Sequence, residues 1–157
     1  MKQQIFTILL IVLFLTVLSC STEQKLTKEQ LLRQSIKELE IRFEERKLGQ
    51  IVEYVSVSYQ DEQGRDLKDI KQVIQLQLMR HKSLYVFSSI NEINWIDDSN
   101  ADVQITTAMA GKPIKSASIL TSIRADMVKF DVRFVLEGEI YKVQSVIWSW
   151  AEPSDFL

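Results

Sequence analysis

The chain has few residues that could form cross-links, metal sites or flexible connections. Its 157 residues include one cysteine, one histidine, two prolines and four glycines. A single cysteine cannot form an internal disulfide, and the Cys and His clusters typical of zinc or iron sites are absent from the sequence. So few glycines and prolines leave little room for linkers. We therefore expect one domain of ordinary size, without a metal or a cofactor.

The chain also lacks a strong excess of either charge. It contains 19 Lys and Arg and 21 Asp and Glu, which gives a net charge of −2. A protein that binds nucleic acid through its phosphates normally presents a strongly basic face, so no nucleic-acid partner is expected. A hydrophobic content of 46% and a charged content of 25% are typical of a globular domain that can bury a core.

The first 20 residues carry the clearest signal in the sequence. Lys2 precedes an almost wholly apolar run over residues 5–18. This run is shorter than the about 20 residues that a membrane-spanning helix needs, but it suits the hydrophobic region of a signal peptide. Val17-Leu18-Ser19-Cys20 follows and resembles the lipobox of bacterial lipoproteins, in which a small residue precedes the cysteine.

The lipobox resemblance implies a lipid anchor on Cys20. Residues 1–19 would be removed as a signal peptide, residues 20–26 would form the lipidated cysteine and a short tether, and residues 27–157 would form the domain. Two or more acyl chains anchor a protein firmly, since each buried methylene contributes about 0.8 kcal/mol. We expect the domain on the periplasmic side of the cell envelope, and Ser21 favours the outer over the inner membrane. Lipid on the only cysteine also excludes thiol chemistry.

Hydrophobic spacing predicts three helices in the first half of the domain. Thr27 and Gln30 are predicted to form a capping box for a helix that continues through Phe43. A second, shorter helix is predicted over 50–58. Asp66 can cap a third helix because its side chain can accept hydrogen bonds from the first turn.

From Ser83 onward the hydrophobic period changes to two, which predicts four strands in sequence. Glu137-Gly138 predicts a tight hairpin between the last two, whereas 114–124 is compatible with a loop, a helical turn or a strand edge. The fold class is therefore α+β, with three N-terminal helices packed on a curved antiparallel meander sheet of about four long strands. One face of the first strand is predicted to hold Tyr85, Phe87, Ser89, Asn91, Ile93 and Trp95.

This order of elements resembles the NTF2-like superfamily, also called SnoaL-like or cystatin-like α+β. The local matches are the turn over 59–64 before the third helix and the final strands over 125–131 and 141–148. The resemblance covers roughly residues 27–151. It implies a curved sheet that wraps around a long helix and leaves a cone-shaped cavity, and it makes a homodimer through sheet faces an expectation. The superfamily includes enzymes, transport factors and binding modules, so the fold does not choose among them.

Tyr59, Asp61 and His81 are the candidates for catalysis. The resemblance suggests Asp61 and Tyr59, because some isomerases of this superfamily use an Asp base with Tyr donors in the cavity. His81 is a candidate because it is the only histidine. However, Asp61 lies in a polar turn that is normally solvated, although it could point inward because alternate residues of a short strand face opposite sides. His81 lies between two cationic residues at the end of a predicted helix, which is more typical of a helix C-terminus than of a catalytic dyad. An isomerase or dehydratase with Asp61 or His81 as base and Tyr59 as donor is therefore the second hypothesis.

Aromatic residues of the strands are candidates for lining a pocket, although they would suit a core under the helices equally well. These candidates are Tyr85, Trp95, Phe130, Trp148 and Trp150. With no convincing catalytic set, the leading hypothesis is a non-catalytic, lipid-anchored domain that binds a small apolar ligand or a partner protein. A structural envelope subunit is the third hypothesis, and a large apolar patch on the outer sheet face would favour it.

Overall fold

The computed structural model describes residues 26–156, so the predictions made for residues 1–25 lie outside it. The four strands form one antiparallel sheet in the order β1-β2-β3-β4, and the helices lie on one face, which confirms the α+β class. No helix within the described range is long and apolar enough to cross a membrane. The elements are α1 (Lys28–Glu44), α2 (Leu48–Glu53), α3 (Leu67–Arg80), β1 (Tyr85–Trp95), β2 (Asn100–Ala110), β3 (Asp126–Glu137) and β4 (Ile140–Trp150).

Two of the helices start where their capping residues predict. At the start of α1, the Gln30 N–H donates to Thr27 Oγ1 over 3.2 Å and the Thr27 N–H donates to Gln30 Oε1 over 2.9 Å. At the start of α3, the Asp66 carboxylate accepts from the backbone N–H groups of Lys68 and Asp69. These bonds satisfy donors that have no partner inside the helix, so both predicted caps are confirmed.

The second helix differs from the prediction over 50–58, because α2 ends at Glu53. Beyond it the backbone joins the edge of the sheet. The Val143 N–H donates to the Tyr54 carbonyl over 2.8 Å, and the Ser56 N–H donates to the Val143 carbonyl over 2.9 Å. Pairing with a residue far along the chain therefore ends the helix early, in a segment whose β-branched residues suit extended backbone.

The first strand does not keep one face along its length. Ile90 and Glu92 pair with the consecutive residues Ile105 and Gln104, so Asn91 is the extra residue of a β-bulge. A shift of one residue moves every later side chain to the opposite face, and the predicted common face is therefore wrong. The register puts Tyr85, Phe87 and Ser89 on the outer face and Ile93 and Trp95 on the face that the helices cover.

The last two strands are joined by the two-residue turn Gly138-Glu139. The predicted hairpin is confirmed, but its turn lies one residue later than predicted, because Glu137 still belongs to β3. Gly138 has a φ of +67°, in the left-handed region. That conformation costs a residue with a Cβ roughly 1–2 kcal/mol, and tight hairpin turns use it because their twist matches that of the strands.

Two apolar clusters lie between the helices and the sheet. The first joins α1 to β2, β3 and β4, and its fully or almost fully buried members include Leu32, Val103, Phe134 and Tyr141. The second joins α2 and α3 to the chain before β1, and it contains Ile51, Ile74, Leu78 and Leu84. Buried apolar side chains of the helices thus meet those of the sheet, and the cone-shaped cavity that the superfamily resemblance implies stays a prediction.

The segment between β2 and β3 covers one end of the outer sheet face. It contains a short turn of 3-10 helix (Ala117–Ile119), so a loop with a helical turn is the correct alternative of the three. Leu120 packs there against Ala108 and the C-terminal Phe156 in a third apolar cluster. This end of the outer face is therefore covered by the chain itself.

The remaining outer face is polar. Arg133 donates two hydrogen bonds of 2.8 Å to the Asp102 carboxylate, and Gln104 Nε2 donates to Asp131 Oδ1 over 3.1 Å. This part of the sheet is not the large apolar patch that would favour a structural subunit. A homodimer through the sheet face stays a prediction.

Candidate functional site

The turn before α3 is organised around the buried carboxylate of Asp61, whose side chain is 1% exposed. Its Oδ1 accepts from the backbone N–H groups of Gln63 and Arg65 over 2.9 and 3.0 Å. Its Oδ2 accepts from Arg65 Nε over 2.6 Å and from the Tyr59 hydroxyl over 3.3 Å. Both carboxylate oxygens are thus occupied by two donors each.

These bonds also set the protonation states of the turn. Burial alone would raise the pKa of Asp61, but the hydrogen bonds from Arg65 and Gln63 and the Arg65 charge outweigh it and lower the pKa below its ordinary value. Burial, followed by the charge and hydrogen bond of Asp61, raises the pKa of Tyr59 to about 12. At neutral pH the Tyr59 proton is directed at Asp61, so neither group presents a free lone pair or proton to a substrate.

The third catalytic candidate lies elsewhere. His81 is the residue that follows the last turn of α3, and its Nε2 lies 4.0 Å from Asp126 Oδ2. Asp61 precedes the start of the same helix, which has 14 residues and is therefore about 21 Å long. The structure brings Tyr59 and Asp61 together and leaves His81 at the other end of α3, so the three do not converge in one cavity.

A small, partly open cleft of about 210 Å³ lies between the Asp61 turn and β4. One wall is formed by Glu62, Gln63 and Arg65, and the other by Val146, Ile147 and Trp148. Asp61 and Arg65 neutralise each other, whereas Glu62 forms no ion pair within residues 26–156. The cleft therefore carries a net negative charge next to an aromatic ring.

Only one of the five predicted pocket residues, Trp148, lines this cleft. Phe130 and Trp95 pack against the first apolar cluster, and the Trp95 ring lies edge-on to Tyr141 at 5.8 Å. Tyr85 is half-buried at the start of β1. The alternative that these aromatics belong to the core is thus correct for Phe130 and Trp95.

Trp148 and Trp150 form an exposed aromatic pair on β4. Their rings lie 5.6 Å apart at an angle of 87°, an edge-to-face arrangement. The two residues are 47% and 72% exposed, and Ile147 on the opposite face is 46% exposed. We call Trp148, Trp150 and the adjoining cleft the tryptophan surface. The contribution of Glu62 and Arg65 to it was missed, because sequence spacing does not show which strand the turn adjoins.

No protein-family model matches the chain, and no curated protein matches it. Solved structures do match. A proposed scytalone dehydratase from Novosphingobium aromaticivorans is 8% identical with a TM-score of 0.61, over 80% of this chain and 88% of that one. A proposed dehydratase of the NTF2-like family from Streptomyces avermitilis is 10% identical with a TM-score of 0.61, over 80% and 97%. A domain of unknown function with a cystatin-like fold from Nostoc punctiforme is 11% identical with a TM-score of 0.55, over 76% and 75%.

These identities are too low to carry function, but they establish the architecture. The chain has an NTF2-like, cystatin-like α+β fold, as the resemblance implied.

Proposed function

We propose that this chain is a non-catalytic binding domain of the bacterial cell envelope that recognises a partner protein through the tryptophan surface. The observation that carries the proposal is the exposed Trp148–Trp150 pair beside the cleft. Tryptophan is enriched in protein interfaces and among the residues that contribute most of the binding energy. Two such rings left side by side in water indicate a surface that a partner covers.

A partner protein fits this surface better than a small apolar ligand does. Pockets for small molecules usually enclose about 300–1,000 Å³ and bury most of the ligand. The cleft has about 210 Å³, is partly open and carries charged side chains in its wall.

The isomerase or dehydratase hypothesis has no comparable support. The dehydratases among the similar structures share the fold at 8% and 10% identity, which does not transfer their activity. Within this chain, the Tyr59 hydroxyl donates a hydrogen bond to Asp61, and His81 lies at the far end of α3.

We expect a photoreactive residue in the cleft to capture the partner in intact cells. Gln63 is exposed in the cleft wall, and p-benzoylphenylalanine at this position in the full-length chain should give a discrete cross-linked adduct. The adduct should be lost when Trp148→Ala and Trp150→Ala are added. Met79, which is 70% exposed on α3, is the matched control position and should give no such adduct. The proposal would be contradicted if no adduct formed at position 63, or if the adduct persisted when Trp148 and Trp150 were replaced by alanine.

We further propose that lipid on Cys20 holds the domain on the periplasmic side of a membrane, with the outer membrane favoured by Ser21. Cells grown with labelled palmitate should incorporate label into the full-length protein but not into Cys20→Ala. The variant should also keep residues 1–19 and shift to a larger apparent mass on a gel, because the lipobox that directs their removal ends in Cys20. An unlabelled wild-type protein, or a Cys20→Ala protein that runs at the wild-type size, would refute the lipid anchor.

A further inference from the structure

One half of the β4 edge is left open. β4 is the last strand of the sheet, and its first half is covered by the segment that follows α2, which bonds to Val143. The last of these contacts is the Gln60 N–H, which donates to the Gln144 carbonyl over 3.0 Å. Beyond Gln60 the chain leaves the edge, and the Asp61 turn faces Val146 and Trp148 across the cleft. Within residues 26–156, no neighbouring strand pairs with the outer edge of 145–150.

The ladder fixes which backbone groups are available along this edge. The Ala151 N–H donates to the Met127 carbonyl of the neighbouring chain segment over 3.0 Å, so Ala151 points its backbone into the sheet. Residues in an antiparallel ladder alternate in this respect. The N–H and C=O groups of Val146, Trp148 and Trp150 therefore point outward, spaced as an added strand requires.

This edge has none of the protection that exposed edges usually have. Natural sheets protect their edges with charged residues, proline, bulges or covering segments. At the opposite edge, the Val86 N–H of β1 donates to Glu44 Oε1 over 2.9 Å and the strand carries the bulge at Asn91. By contrast, the stretch 145–151 contains no charged residue, proline or glycine, and the bulge of β4 lies just before it, at Gln144.

We infer that the open edge of β4 accepts an extended segment of the partner protein, with cationic side chains, which adds one strand to the sheet. The inference deepens the proposed function and rests on it. Main-chain bonds would give affinity, and the flanking side chains would give specificity. The charges that flank the edge are Glu62 in the cleft and Glu152 just after β4. Neither forms an ion pair within residues 26–156. Two carboxylates beside tryptophan rings complement lysine or arginine.

A second copy of this chain fits the edge less well. A second copy would present the same edge, with Glu62 and Glu152 and no cationic residue over 145–151, so its charges would repel rather than complement those of the first. Pairing Trp148 with its equivalent would also place Glu152 of the second copy opposite Gln144. The carbonyl of Gln144 is already bonded to Gln60.

The test uses the full-length protein in detergent micelles and short capped peptides labelled with a fluorophore. A peptide of alternating lysine and valine should bind, as measured by fluorescence anisotropy. A peptide with glutamate in place of lysine should bind at least about tenfold more weakly. N-methylation of every second amide of the lysine peptide, placed on the edge that faces β4, should abolish binding, because it removes the donors that a strand needs.

Two variants at one position separate the backbone from the side chain. Trp150→Ala removes the ring, whereas Trp150→Pro also removes the outward N–H without breaking a ladder bond. Proline should therefore weaken binding by a further several-fold, with Met79→Ala as the unaffected control. Equal binding by both variants, or indifference to N-methylation, would overturn strand addition. If the photo-adduct at Gln63 persists in that case, the binding function stands and only its mode is wrong. A concentration-dependent dimer by light scattering that excludes the lysine peptide would also overturn the inference.

Discussion

Replacement of Asp61 by alanine should destabilise the domain by about 3 kcal/mol, measured as the free energy of unfolding in urea. The carboxylate accepts four hydrogen bonds, and its loss leaves the Tyr59 hydroxyl without its acceptor in a site where Tyr59 is 3% exposed. Removing one partner from a buried, charged, hydrogen-bonded group costs the desolvation of those left behind. Glu62→Ala, at the adjacent exposed carboxylate, is the matched control and should change stability by less than about 0.5 kcal/mol.

Asp61→Asn should destabilise the domain nearly as much. The side chain keeps its shape, but its amide NH₂ group points at hydrogen-bond donors that need an acceptor. Each carboxylate oxygen faces two donors, so neither orientation of the amide satisfies them. An Asp61→Asn protein as stable as the wild type would contradict the structural role of this residue. It would return Asp61 to the list of catalytic candidates.

The same group makes stability depend on pH. Because the folded state lowers the pKa of Asp61, its contribution is fully present above the ordinary carboxyl pKa of about 4 and is lost as the pH falls through the lower folded value. Other carboxyls, such as Asp102 and Glu137, have lowered pKa values as well. The difference between the wild type and Asp61→Asn in urea titrations at several acid pH values therefore isolates Asp61. That difference should shrink as the pH falls.

Elements that depend on neighbouring residues were predictable from the sequence. Thr27 and Asp66 mark the starts of α1 and α3, since capping needs only residues two or three positions away. The end of α2 was not predictable, because backbone hydrogen bonds to the distant residue Val143 determine where the helix stops. The bulge at Asn91 was also missed. Apolar residues occur on both faces of β1, so only the pairing with β2 shows where the side chains switch faces.

The candidate site shows the same division. Alternation along β4 placed Trp148 and Trp150 on one face, and the structure agrees. Their exposure depends on how far the helices extend over the sheet, which is a tertiary property. Asp61 was predicted in a normally solvated turn, with an inward orientation left open, and the structure shows it buried with Arg65 folded back onto it. Sequence therefore identified the residues, whereas packing decided which of them face solvent.

The second large effect is expected at Arg46, which ties the end of α1 to the end of α3. Its guanidinium donates to the carbonyls of Leu78 and Lys82 over 2.7 Å each, and to that of His81. The last carbonyls of a helix have no partner inside it, and a cation there also opposes the negative end of the helix dipole. Arg46→Ala should therefore lower the free energy of unfolding by about 2 kcal/mol.

Backbone conformation separates two contributions at this position. Arg46 has a φ of +59°, in the left-handed region that favours glycine. Arg46→Gly loses the three hydrogen bonds but relieves the backbone, so it should be about 1 kcal/mol more stable than Arg46→Ala. Arg46→Lys keeps the charge without the planar fork and should fall between the wild type and alanine. If alanine and glycine unfold at the same urea concentration, the left-handed conformation contributes nothing. If all three variants match the wild type, the guanidinium does not cap α3.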